Sequence, residues 1–127
     1  MSASEEKMPV NGSQPSREPP EARRRFPRHP IDIRVAVSAF RSGETISLWG
    51  RSNEMGADGI GATLTGELQP GEVVSLELAL PMAAQPVKIR ALVRYRVGLR
   101  HGFEFLTLSP DQRDVVDRVC RMLAAQS

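Results

Sequence analysis

The chain has 127 residues, 40% hydrophobic and 25% charged, with 17 Lys and Arg against 15 Asp and Glu and a single cysteine. That is the size of one domain, able to bury a core without cross-links. One cysteine excludes an internal disulfide framework and any multi-thiolate metal site, and no apolar stretch approaches the roughly 18–20 residues of a membrane span.

Residues 1–22 carry two basic groups (Lys7, Arg17) and four acidic ones (Glu5, Glu6, Glu18, Glu21), and Pro9, Pro15, Pro19 and Pro20 interrupt any helix. Few of these residues could bury anything, so the composition predicts a disordered tail, with the domain occupying 23–127. The tail lacks the basic start and apolar run of a secretion signal, which points to a cytoplasmic location. Residues 29–127 hold eleven charges of each sign, so the positive excess sits in Arg23-Arg24-Arg25-Phe26-Pro27-Arg28. Guanidiniums this close repel one another unless an anion or carboxylates gather them. Pro27 disfavours a helix, so the segment reads as a loop able to wrap a ligand.

A half-buried strand is expected from Ile31, where Ile31, Ile33, Val35 and Val37 alternate with polar or small residues. Arg41-Ser42-Gly43-Glu44 makes a turn, and Thr45 to Arg51 a second strand. Gly56, Gly59 and Gly61 crowd a loop leading into a third strand at Ile60–Leu64. Gln69-Pro70-Gly71-Glu72 is a tight turn, with Pro presetting φ and Gly accepting a positive one. Val74, Leu76, Leu78 and Leu80 mark the fourth strand. Val87 to Val97 forms a long fifth one whose outer face carries Lys88, Arg90, Arg94 and Arg96. Leu99–Leu106 supplies the sixth. The period then changes. Ser109-Pro110-Asp111-Gln112 opens an amphipathic helix with Val115, Val116, Val119 and Leu123 on one face. Six strands at hairpin spacing followed by one helix predict an all-β fold, a six-stranded antiparallel Greek-key-like barrel capped by a C-terminal α-helix.

Catalysis has no residue to stand on. His29 and His101 have no neighbouring motif, Cys120 falls beside the apolar helix stripe as a small core residue would, and no spacing of His, Cys, Asp or Glu suggests a metal. The arginine cluster is different, because Arg grips phosphates and the guanine O6/N7 edge bidentately and stacks on flat rings.

Two segments together, Arg24-xxx-Arg28 and Glu54-Met55-Gly56-Ala57-Asp58-Gly59 followed by Ile60-Gly61, resemble the signature of the PilZ domain family, bacterial receptors for cyclic di-GMP. The family pattern is RxxxR ahead of the first strand and (D/N)xSxxG between the second and third. The resemblance covers about residues 23–123 and includes the Pro70-Gly71 turn, Gly102-Phe103-Glu104-Phe105 and the Ser-Pro-opened helix. Glu54 stands where Asp or Asn is usual, and Gly56 where Ser is usual. A register starting at Asn53 loses the glycine at the end of the motif. The resemblance implies a non-enzymatic receptor whose ligand is cyclic di-GMP, with no other cofactor. Arg24 and Arg28 would clamp guanine and phosphate, assisted by Arg23. Glu54 would accept from a guanine edge, and Gly56 and Gly59 would let backbone donors approach. Ligand would gather a mobile arginine loop and signal through a downstream protein. Restoring the hydroxyl with Gly56→Ser is then expected to tighten binding, provided residue 56 has negative φ.

Two other classes stay open. A PilZ-like module could bind only protein, in which case no nucleotide would bind at all. A nucleic-acid binder could use the arginine cluster with the Lys88–Arg96 face, but Phe103 and Phe105 share a strand face as core residues do, which leaves few aromatic stacking platforms.

Overall fold

Alternation of apolar and polar residues is realised as seven strands and a helix in the computed structural model, which describes residues 26–126. The expected tail, with Arg23 and Arg24, lies outside the described residues. The elements are β1 (His29–Pro30), β2 (Arg34–Arg41), β3 (Glu44–Gly56), β4 (Gly59–Leu64), β5 (Val73–Leu78), β6 (Val87–Val97), β7 (Arg100–Phe105) and α1 (Pro110–Gln126). Neighbours pair in the order β1-β3-β2-β5-β6-β7-β4, and β4 pairs back onto β3. All pairings are antiparallel. Strands β2 to β7 thus close a six-stranded barrel with one C-terminal helix, as the alternation predicts, and β1 is a two-residue addition to β3.

Closure removes most of the sheet edge and turns one face of each strand inward. Val35 and Val37, Leu76 and Leu78, Ile89 and Val93, and Phe103 fill the interior, joined by Val116, Val119 and Leu123 from α1. The helix begins with a reciprocal cap. Gln112 N–H donates to Ser109 Oγ at 3.1 Å, and Ser109 N–H donates to Gln112 Oε1 at 2.9 Å. Gln112 Nε2 also donates to the Lys88 carbonyl, tying the cap to β6. The β2–β3 hairpin turns on Ser42 (φ 50°) and Gly43 (φ 82°), the two positive values that match the twist of its strands.

Two expected boundaries shift. The first long strand starts at Arg34, because Ile31–Ile33 runs beside β3 without a regular ladder. Here the Ser52 hydroxyl stands in for backbone, accepting from Ile33 N–H at 2.9 Å and donating to the Ile31 carbonyl. The second strand runs on to Gly56, so the expected loop at 54–59 is strand, a turn at Ala57–Asp58, then strand again.

His101 is fully buried on β7. Its Nε2 accepts from Leu68 N–H at 3.0 Å, and its Nδ1 lies 2.8 Å from the Leu99 carbonyl. Only the neutral Nδ1–H ring satisfies both neighbours. Burial lowers its pKa, aided by Arg96 and opposed by the Leu99 carbonyl. A lowered folded value means that the unfolded chain binds the proton first. The stability from neutral His101 is therefore complete above the ordinary imidazole value and is lost as pH falls from about 6.5 toward the folded value. Thermal melts from about pH 8 to about pH 5 should show this loss in the native chain. It should be missing in His101→Leu, and parallel slopes would assign it to other groups.

Candidate ligand-binding site

Strand β3 contains the device that builds the site. Along its first part the even-numbered residues face inward, Leu48 against the core and Ser52 buried, while Ser47, Trp49 and Arg51 are exposed. Without interruption that parity would drive Glu54 into the core. The pairing with β4 slips between Ser52↔Ala62 and Glu54↔Gly61, making Asn53 a β-bulge. The extra residue reverses the parity. Met55 becomes fully buried opposite an equally buried Ile60, and Glu54 comes to the outer face.

Strand β1 then carries the arginine segment onto this surface. His29 pairs with Met55 and Pro30 with Glu54, which lays Pro27 and Arg28 over the end of the β3–β4 hairpin. The Arg28 side chain is only 13% exposed, with Nη1 3.8 Å from Glu54 Oε2 and Nη2 3.6 Å from Asp58 Oδ1. Glu54 Oε2 also lies 3.9 Å from Arg100 Nη2, so one carboxylate sits between two guanidiniums. The Nε atoms of Arg28 and Arg100 are buried with no hydrogen-bond partner among the described residues.

The glycines serve this packing. A Cβ on Gly56 would fall 2.7 Å from the Pro27 carbonyl oxygen and 2.9 Å from Arg28 Cδ, and one on Gly59 would fall 2.2 Å from the Phe103 carbonyl oxygen. Protein backbone makes a close approach to both. The expectation for Gly56→Ser is therefore reversed. Gly56 is not at positive φ, but a side chain there collides with the arginine segment. The variant should lose roughly 1–3 kcal/mol and gain no affinity. Denaturant melts and titration of the same variant check both halves.

The turn is also tied to the helix. Arg113 Nη1 donates to the Ala57 carbonyl at 2.9 Å, and α1 packs beside β1. Cys120 on that helix is partly buried, and burial together with Asp117 pushes its thiol upward, away from a reactive thiolate.

The sequence matches the PilZ domain family over residues 22–121. The chain belongs to the PilZ family. No curated protein matches it. This PilZ chain is similar in fold to the cyclic di-GMP-bound PilZ domain of YcgR from Escherichia coli (TM-score 0.61, 20% identity, covering 82% of this chain and 93% of that one). It is also similar to the PilZ domain of CeSA from a cellulose-synthesizing bacterium (0.59, 20%, 76% and 97%). A third is the Bacillus subtilis inhibitor of motility MotI/DgrA (0.64, 20%, 86% and 57%).

The PilZ barrel thus gathers Arg28, Glu54, Gly56 and Gly59 from the two motifs, while Arg23 and Arg24 lie outside the described residues. Three participants were missed by sequence reasoning. Asp58 was read only as a spacer within the motif. Ser52 carried no signal beyond its place before the motif. Arg100 belongs to no motif, and only the register Thr63↔Arg100 beside the bulge brings it to Glu54. The basic face of β6 is partly neutralised, with Arg94 3.2 Å from Glu104 and Arg96 3.5 Å from Glu67. Phe103 and Phe105 are buried, so neither offers a stacking platform. Among the described residues, no helix is long and apolar enough to cross a membrane.

Proposed function

We propose that this PilZ domain is a receptor for cyclic di-GMP, with Arg28, Glu54, Gly56 and Gly59 in its site and Arg23 and Arg24 completing it. The observation that carries the reading is the meeting of Arg28 with Glu54 and Asp58, which unites two motifs distant in sequence. Support comes from the E. coli YcgR domain, whose structure holds the same dinucleotide.

The separations matter chemically. Charge-assisted hydrogen bonds run at about 2.7–2.9 Å, whereas Arg28 stands 3.6 and 3.8 Å from its carboxylates. The guanidinium is neutralised and oriented, yet its donors stay available to a phosphate or a guanine edge. Arg28 thus differs from the mobile, repelled arginine expected from the sequence, since carboxylates have already gathered it. Glu54, held by Arg100, accepts from guanine N1 and N2. Drawing Arg28 away from Asp58 loosens the Ala57–Asp58 turn, and Arg113 passes that change to α1. A protein partner reading α1 or the arginine segment would receive the signal.

Calorimetric titration with cyclic di-GMP, GTP and single-stranded DNA tests the reading. Saturable binding of the cyclic dinucleotide with shallow salt dependence is expected. Affinity falling steeply with salt, and strongest for DNA, would mark a polyanion binder. No nucleotide binding would leave a protein-only module. Within the site, Glu54→Gln should weaken binding about fivefold, or ~1 kcal/mol, as a charged acceptor becomes neutral. Equal affinity would remove Glu54 from the contact set.

A further inference from the structure

At the end of β3 away from the site, the β2–β3 hairpin runs past its neighbours. Strand β2 pairs with β3 along Arg34–Arg41, but with β5 only along Val35–Ser38. On the β2 side the projecting ribbon is tied down, with Arg41 Nη2 donating to Glu72 Oε2 at 2.9 Å and to the Glu67 carbonyl at 3.2 Å. On the β3 side, pairing with β4 starts only at Gly50, extended by Thr65 N–H donating to the Trp49 carbonyl at 2.8 Å. Glu44 to Leu48 therefore has a strand on one side only, among the described residues.

Trp49 directs its N–H and C=O toward Thr65 on the β4 side. Strand alternation then directs those of Thr45 and Ser47 the same way, out of the open edge. Edges in natural sheets are usually blunted by charge, proline or a bulge. The segment Thr45-Ile46-Ser47-Leu48-Trp49 has no charge and no proline, is rich in strand formers, and lies before the bulge at Asn53. Beside it, Phe40 is 74% and Trp49 56% exposed.

We propose that this edge is an interface for a second copy of the chain, joined antiparallel about a two-fold axis through Ile46. The register follows from what is open. Trp49 is engaged, so Thr45 faces Ser47 of the second copy and Ser47 faces its Thr45, making about four main-chain hydrogen bonds. Ile46, only partly covered in one chain, meets its own counterpart. Phe40 pairs with Thr45 and Ser38 with Ser47 within each chain. The outer rows of the joined sheet therefore run Phe40, Thr45, then Ser47 and Ser38 of the second copy, with no charge opposed to charge. A self-complementary strand closes as a dimer rather than growing into a fibre. The nucleotide site, at the other end of β3, stays open, so this inference does not depend on the proposed ligand.

Sedimentation equilibrium of the full chain from about 10 μM to about 1 mM should show a concentration-dependent dimer. Ser47→Pro removes a donor pointing away from β2 and leaves the internal ladder intact. It should sediment as a monomer with an unchanged melting temperature at low concentration. Ile46→Lys, which sets like charges face to face on the axis, should do the same. Ile46 pairs with itself at a non-hydrogen-bonded position, where Cα atoms lie about 4.5 Å apart, within disulfide range. Ile46→Cys in a Cys120→Ser background should therefore cross-link under mild oxidation, and Ser38→Cys should not. A monomer at every concentration, a dimer that survives both Ser47→Pro and Ile46→Lys, or equal cross-linking at residue 38 would overturn the proposal.

Discussion

Arg28→Ala should abolish measurable cyclic di-GMP binding while leaving the barrel folded. Each charge-assisted bond from a guanidinium is worth about 1.5–3 kcal/mol, so losing a bidentate contact costs roughly a hundredfold in affinity or more. The fold has less to lose. Glu54 keeps Arg100 at 3.9 Å, and the Asp58 side chain is 35% exposed. A stability change of about 1 kcal/mol is the expected scale. Arg28→Lys should fail nearly as badly, because an ammonium lacks the planar fork. Arg24→Ala should match Arg28→Ala if the first motif arginine acts with the last. Calorimetry on the three variants, with melts alongside, decides. Wild-type affinity in all of them would remove the arginine segment from the site.

The second large effect is on stability. Gly59→Ala should cost about 3 kcal/mol, lowering the melting temperature by roughly 10–20 °C. Its new methyl would sit 2.2 Å from the Phe103 carbonyl oxygen. Both partners are backbone in the β4–β7 pairing, so relief requires moving a strand of the closed barrel. Gly61→Ala is the control two residues along, where the nearest atom to a Cβ is Glu54 Cγ at an ordinary 3.5 Å. It should melt close to the native chain. Comparable losses at both positions would show a general intolerance of side chains in β4 rather than a specific collision.

Much of this architecture is legible in the residues. Val74, Leu76 and Leu78, and then Ile89, Ala91 and Val93, alternate without a fault, and each lies buried where the period places it. Ser109 and Gln112 announce the helix and make the bonds their spacing implies. The site is less legible, for a physical reason. Glycines at 56 and 59 read as turn formers because a sequence displays conformational freedom more readily than it displays crowding. Which atom crowds a glycine depends on segments far away in the chain, Phe103 for one and Pro27 for the other. Arg100 was invisible for the same reason, since its partnership with Glu54 exists only after β7 has been placed beside β4.

The extra residue at Asn53 makes the second motif behave like a reading frame. Side chains along a strand fall into two phases, and the bulge is the point where β3 changes from one to the other. The motif's information therefore lies in count as well as in chemistry. Glu can stand where Asp or Asn is usual because the carboxylate still emerges in the correct phase. Pairing the same residues without the bulge would shift that phase for everything downstream, offering the core a charge and the solvent a methionine. Deleting Asn53, by contrast, would make Ser52 and Glu54 neighbours in an unbroken ladder and keep the phase. That shortened chain would keep every letter of the motif together with its phase, so the bulge residue itself should be dispensable where the phase it sets is not.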